Sequence, residues 1–231
     1  CSVDCFLDSK QDDNDMYSTT ALCAESKCTQ GYYCPPGSIS SRQHKCGNIS
    51  VYCPTGSGLP TVAPPGYYTV NGETVIGQIS AIVSDEATRS HVLICPKGHY
   101  CFGGVKIPCP KGKYGATEGL SVSNCSGDVD PGYWSAEGAT SAQNRKCFAG
   151  RYSSLPGSTS AECQGSCLPG YYCPPGSISS SQKHCGSAKV FCPEGSGRPS
   201  VASRGYYTVD SNLDNKTSSQ TTRTTQLHCP I

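Results

Sequence analysis

Thiols are the reactive groups this sequence supplies most freely, with 18 cysteines among 231 residues. A cysteine can ligate zinc, attack as a thiolate or oxidise to a disulfide, and its neighbours decide which. Structural zinc sites favour Cys-x2-Cys pairs with histidine partners at tight spacing. No Cys-x2-Cys occurs; the nearest approaches are Cys1-x3-Cys5 and Cys163-x3-Cys167. The five histidines (His44, His91, His99, His184, His228) fall in different local contexts. No Gly-x-Ser-x-Gly elbow and no phosphate loop is present, and oxidised cysteines leave no thiolate nucleophile. The acidic run Asp8 to Asp15 lacks the spaced ligands and closing Glu of a known calcium loop. Disulfide formation is the expected chemistry; no catalytic centre, metal or cofactor is expected, and calcium is disfavoured.

The elements that must position these cysteines are repeats. Residues 31–70 and 170–209 align without a gap, 139 positions apart, with 28 of 40 residues identical. A shorter period lies inside the long one. Cys109 to Cys125 and Cys147 to Cys163 share the frame C-x2-G-x-Y-x4-G-x5-C at an offset of 38. At that offset Val129-Asp-Pro-Gly-Tyr-Trp-Ser135 lies over Cys167-Leu-Pro-Gly-Tyr-Tyr-Cys173, so both cysteines of one copy are absent from the other. Joint loss is what a bonded pair does, because an orphan thiol is a liability in a secreted protein. A Cys167–Cys173 disulfide follows, and Cys28–Cys34 by the long repeat. The same logic extends to Cys5–Cys23, Cys46–Cys53, Cys95–Cys101, Cys109–Cys125, Cys147–Cys163 and Cys185–Cys192, while 1–3/2–4 pairings remain open. Cys5–Cys23 has no repeat behind it. Cys1 and Cys229 are left without partners, to be met by the chain's continuation or by an inter-subunit Cys1–Cys229 disulfide.

Composition agrees with a stapled scaffold. Four Phe, one Trp and one Met cannot fill a central core, whereas 26 Gly and 17 Pro imply many turns. Cysteine at this density marks an oxidising compartment, hence an extracellular, secreted or cell-surface protein. A net charge of +1, with 15% charged residues, offers no basic face for nucleic acid. No apolar run approaches the length of a membrane span, so no membrane insertion is expected in this segment. The opening at Cys1 and the ending Cys229-Pro230-Ile231 read as a piece of a longer precursor, cut at the start of another motif.

The predicted fold is therefore a set of small disulfide-rich repeats: an elongated rod of tandem cysteine-rich modules with short β-strands and loops and little helix. Its parts are a divergent segment at 1–22, a repeat with a GYYTV linker at 23–94 and a module at 95–128. A module lacking one disulfide follows at 129–166, and a second copy of 28–94 ends in a Ser/Thr-rich segment at 167–231. Val-Tyr-Cys, Val-Phe-Cys, Gly-Tyr-Tyr-Thr-Val and His91 to Cys95 have the β-branched and aromatic content of short strands. Only Ser80 to Ser90 hints at helix.

On the Cys95-Pro-Lys-Gly-His-Tyr-Cys101, Cys109–Cys125, Cys147–Cys163 and GYYCPPGS motifs, the chain resembles the ephrin-receptor-like cysteine-rich repeats, relatives of the tumour-necrosis-factor-receptor-like modules. The likeness covers roughly residues 23–209, and the tandem arrangement is similar to that of long surface proteins of protists and algae. It implies extracellular stalks, adhesins or fibres, including flagellar hairs. The functional expectation is a glycosylated structural protomer that polymerises end to end with copies of itself. The alternative is a monomeric receptor or adhesin ectodomain that binds a protein or glycan ligand. Asn48, Asn124 and Asn215 head N-glycosylation sequons, and Thr217 to Thr225 reads either as an O-glycan tract or as a flexible linker. The Tyr-Tyr pairs (32/33, 67/68, 171/172, 206/207) read as small module cores, one tyrosine of each pair left open to a partner.

Overall fold

The computed structural model describes residues 4–5, 23–24, 27–75, 78–82, 86–211, 213 and 219–230. It consists of small disulfide-rich repeats. Almost every strand is one arm of a two-stranded hairpin, most arms are two residues long, and the helical content of the described residues is one 3-10 turn at Glu86–Thr88. Contacts divide the chain into two compact units. One comprises Cys1–Pro96, Tyr100–Ile107 and Glu118–Val122; the other comprises Lys97–His99, Pro108–Thr117 and Ser123–Ile231.

Each module starts from the same turn. In Asp130-Pro-Gly-Tyr133 the Tyr133 N–H donates to the Asp130 carbonyl (3.1 Å), and Gly132 sits at φ 79°. Proline followed by a positive-φ glycine is the type II turn, in which the third position excludes a Cβ. Tyr133–Trp134 then pairs antiparallel with Arg145–Lys146, and the Cys147 N–H closes the hairpin on the Gly132 carbonyl at 2.9 Å. The residue that opens a module is its core, except at Ala202, the half-buried counterpart of Ala63. Cys28, Cys46, Ala63, Cys95, Cys109, Val129, Cys147, Cys167 and Cys185 are all 6% exposed or less. Val129 takes the cysteine position with no exposed area, and Ser135, in the place of the second cysteine, is equally covered.

In the first unit a three-stranded sheet departs from this pattern: Tyr67–Val75 is flanked by Gln78–Ile82 and His91–Ile94. The helix hint at Ser80 to Ser90 is corrected here. Residues 80–82 lie in a strand, paired through Glu73↔Ser80, Gly72↔Ala81 and Asn71↔Ile82, and only Glu86–Thr88 turns helically. An open strand edge beside β-branched Ile79 and Ile82 outweighs a weak helical preference. The second unit contains a simpler counterpart, Tyr206–Val209 paired with Thr225–His228.

A buried arginine locks each of these sheets. The Arg89 guanidinium donates Nη1–H to the Thr69 carbonyl at 3.1 Å, and its own carbonyl accepts the Cys53 N–H at 2.9 Å. Arg223 repeats both contacts, donating to the Thr208 carbonyl and accepting from the Cys192 N–H at 2.9 Å. Arg89→Ala would strand the Thr69 carbonyl and remove the packing of the aliphatic stem, an effect of about 1–3 kcal/mol. Amide exchange at Cys53 should then speed up roughly tenfold or more, with the Gly132 amide of the other unit unchanged. An unaltered Cys53 rate would refute this role.

Candidate functional site

What recurs in this molecule is a junction between consecutive modules, made of main-chain groups. Where the module opening at Val129 meets the one opening at Cys147, Gly132 N–H donates to the Ser153 carbonyl (2.9 Å). Ser135 N–H donates to Ser158 (3.1 Å), and Gly157 N–H returns to Val129 (2.9 Å). The same three bonds recur at the next junction as Gly150 to Cys173, Ser153 to Ser177 and Gly176 to Cys147 (2.8, 3.1 and 3.0 Å). They recur again as Gly170 to Cys192, Cys173 to Ser196 and Gly195 to Cys167 (2.8, 2.9 and 2.9 Å). In the first unit they appear as Gly31 to Cys53, Cys34 to Ser57 and Gly56 to Cys28 (2.8, 2.9 and 2.8 Å). The turn glycine is also covered from above. A Cβ on Gly132 would lie 2.4 Å from the Gly176 carbonyl oxygen, and one on Gly150 would lie 2.1 Å from that of Gly195. Parallel bridges, Trp134↔Ser158 and Tyr152↔Ser177, mark the same seams.

Disulfides hold the modules from within. Among the described residues seven are closed: Cys28–Cys34, Cys46–Cys53, Cys95–Cys101, Cys109–Cys125, Cys147–Cys163, Cys167–Cys173 and Cys185–Cys192. All join sequence neighbours, which resolves the alternative 1–3/2–4 pairings in favour of nearest-neighbour links at these positions. The strand Asp4–Cys5 pairs with Cys23–Ala24 so that Cys5 faces Cys23 along the backbone; the side chains of that pair lie outside the described residues. Cys1 lies outside them as well. Cys229 is exposed and unbonded.

The remaining sequence-predicted groups are scattered. Among the described residues, no cluster of three or more His, Cys, Asp or Glu is placed to hold a metal ion, and no helix is long and apolar enough to cross a membrane. The acidic run 8–15 lies outside the described residues. His44 stacks on Tyr33 with ring centroids 5.1 Å apart, His184 meets Tyr171 at 5.0 Å, and His228 meets Tyr206 at 4.4 Å. Between the long repeats His-Lys becomes Lys-His, and the imidazole follows its cross-strand neighbour: Tyr33↔His44 in one copy, Tyr171↔His184 in the other. Tyr32, Tyr33, Tyr171 and Tyr172 are all half-buried, so the aromatic pairs cover hairpins while the cysteines form the interior. An open depression lined by Leu168, Tyr171, Asp210 and Thr222 carries no convergent catalytic groups.

Of the sequons, Asn48 is exposed, and its Oδ1 accepts the Ser50 N–H at 2.9 Å in an Asx turn. In the second copy Ser187 supplies the corresponding turn, its Oγ accepting the Lys189 N–H at 3.4 Å. Asn124 is exposed beside the bonded Cys125, with its Oδ1 accepting from Lys113 Nζ at 2.7 Å. Asn215 lies outside the described residues. Of the two readings of Thr217 to Thr225, the flexible linker is corrected from Thr221 onward, where the chain is bonded into the fold. Thr221-Thr-Arg-Thr-Thr-Gln-Leu-His-Cys229 repeats Ala87-Thr-Arg-Ser-His-Val-Leu-Ile-Cys95 in sequence and in structure. Thr88 and Thr222 both press a carbonyl over a turn glycine, Gly31 and Gly170 respectively. The T-R-x3-L-x-C signal was in the sequence at an offset of 134. A gapless search at 139 passes it by, because the second excursion is five residues shorter.

No protein-family model matches this chain, and no curated protein is significantly similar to it.

Proposed function

We propose that this chain is a structural element of an extracellular fibre or stalk, a repeat-built protomer that polymerises end to end and carries N-linked glycan. One observation carries the reading: the main-chain junction recurs with the same three hydrogen bonds between modules whose side chains differ. An assembly device that ignores side-chain identity suits a scaffold, whereas an enzyme or receptor invests its specificity in particular side chains. Abundant disulfides fit the oxidising compartment that such a role needs. The likeness to ephrin-receptor-like repeats, on the Cys-x2-Gly-x-Tyr frames, supports the same proposal.

Electron cryo-microscopy of the natively isolated, unreduced protein tests it. Filaments with a regular axial repeat are the expected result; isolated flexible particles would replace this reading with a monomeric receptor or adhesin ectodomain. Glycopeptide mass spectrometry gives a second check. Asn48, exposed at a turn tip, should carry sugar, and an unmodified Asn48 in every preparation would remove glycan from the proposal at that site.

A further inference from the structure

A net charge of +1 over the whole chain conceals a division between its two units. The unit made of Lys97–His99, Pro108–Thr117 and Ser123–Ile231 holds twelve Lys and Arg against seven Asp and Glu, whereas the other holds six against ten. Within the basic unit the surplus has a pattern. The hairpin of the module opening at Val129 ends in Arg145–Lys146, and that of the module opening at Cys167 ends in Lys183–His184; all four residues are exposed. Other hairpins of the unit neutralise their cations. Lys113 Nζ bonds Asp128 Oδ1 at 2.7 Å in the module opening at Cys109, and Arg151 bonds Glu162 at 3.1 Å in the module opening at Cys147. Arg145, Lys146 and Lys183 reach no carboxylate among the described residues. Aromatic rings accompany them. The Arg145 guanidinium lies over the Trp134 ring, 5.0 Å from its centroid, and Lys183 stands across the hairpin from half-buried Tyr172. Lys146 links the two arms. Its stem lies against Gly176, where a Cβ would come within 3.3 Å of Lys146 Cγ and Cδ, and Gly176 belongs to the module that carries Lys183. The Gly176 N–H donates to the Cys147 carbonyl at 3.0 Å, so the main-chain junction fixes that contact.

We propose that Arg145, Lys146 and Lys183, with Trp134 and Tyr172 beside them, form a docking surface for an acidic polysaccharide, one whose sugars carry carboxylate or sulfate. The inference rests on the extracellular part of the proposed function. An oxidising compartment, which the disulfides indicate, holds charged saccharides rather than nucleic acid as its polyanions. Three exposed cations without internal counter-ions attract such a chain at long range and displace its small cations on contact. The Trp134 ring steadies the Arg145 guanidinium through a cation–π contact and leaves its planar fork of N–H groups to an anion. Half-buried aromatic side chains offer apolar surface to the C–H side of a sugar ring while staying fixed by their own hairpins.

The test is binding of the whole, unreduced chain to immobilised heparin, a sulfated polysaccharide. Affinity should fall about twenty- to fortyfold between roughly 50 and 200 mM NaCl, the salt dependence that counter-ion release at three cations gives. Arg145→Gln, Lys146→Gln and Lys183→Gln together should weaken binding by about tenfold or more at the lower salt and flatten the salt dependence, with the disulfide map intact. Lys97→Gln, Lys111→Gln and Arg204→Gln together remove the same charge from exposed positions of the same unit, and should weaken binding by less than about threefold. Equal losses in the two variants would assign binding to diffuse charge and overturn the inference. Absence of binding at low salt, or equal affinity for double-stranded DNA, would overturn it too. So would copies that associate with one another at low salt and ignore heparin, their cations then covered by the acidic unit of a neighbour. Filament formation plays no part in these readouts, so their failure leaves the fibre reading standing on its own test.

Discussion

Gly66→Ala is expected to destabilise its module by about 3 kcal/mol, and Gly205→Ala, in an identical pentapeptide, by only about 1 kcal/mol. Both glycines have φ 82°, so each substitution incurs the left-handed penalty of roughly 1–2 kcal/mol for an L-residue. The difference is the roof. At Gly66 the new methyl would stand 2.3 Å from a backbone oxygen that cannot swing aside, whereas at Gly205 it would enter open space. Forcing a core contact apart adds about 1–3 kcal/mol. Amide exchange separates the cases, because the Cys95 N–H reports on Gly66 and the Cys229 N–H on Gly205. A gap of about 2 kcal/mol corresponds to roughly thirtyfold in the opening equilibrium. Equal effects at the two glycines would mean that the cover over Gly66 is slack and that the junction contributes little.

Reduction is expected to have the larger effect, unfolding the protein without denaturant. The short loops, with separations of 6 and 7, contribute roughly 2 kcal/mol each, and the two of separation 16 roughly 3 kcal/mol each. Seven such links together outweigh the 5–15 kcal/mol by which a domain is ordinarily stable. A phosphine reductant at neutral pH should therefore collapse amide dispersion and near-ultraviolet circular dichroism across the chain. Retention of both would show that the hairpins stand without their staples. Paired replacement should behave differently. Cys167→Val with Cys173→Ser copies the natural Val129 and Ser135, each with no exposed area, and should keep the fold at a local loss of about 2 kcal/mol. Cys167→Ala alone should leave an alkylatable Cys173. If the paired variant also frees the Gly176 amide, which donates to Cys147 one module back, the tolerance seen at Val129 does not transfer.

The cysteine pairs were legible because evolution ran that experiment in the sequence, removing two cysteines together at 129 and 135. Brief strands were legible from Tyr-Tyr-Thr-Val and His-Val-Leu-Ile, whose side chains suit a pleated, half-covered surface. The junction was not legible, because its donors and acceptors are backbone groups common to every residue. Its only trace is glycine where a Cβ would strike a carbonyl, and glycine also marks turns that nothing covers, such as Gly37 and Gly103. Arg89 and Arg223 were missed for another reason. An arginine in a polar loop reads as solvated until the structure places its guanidinium under a strand, and the unequal excursions kept the two from aligning. Ser80 to Ser90 misled because a weak helical hint gives way to an available sheet edge.

The main-chain junction also bears on how such a chain changes over generations. A seam that asks for a glycine in two places and a small apolar residue in a third leaves most surface positions without a vote in folding. Modules can then diverge in charge, sugar attachment and texture at little penalty. They can also be duplicated or deleted by unequal exchange between neighbouring copies, since each new neighbour meets its partner through the same groups. Length and surface become separately heritable traits: the number of modules sets one, and the residues between the glycines set the other.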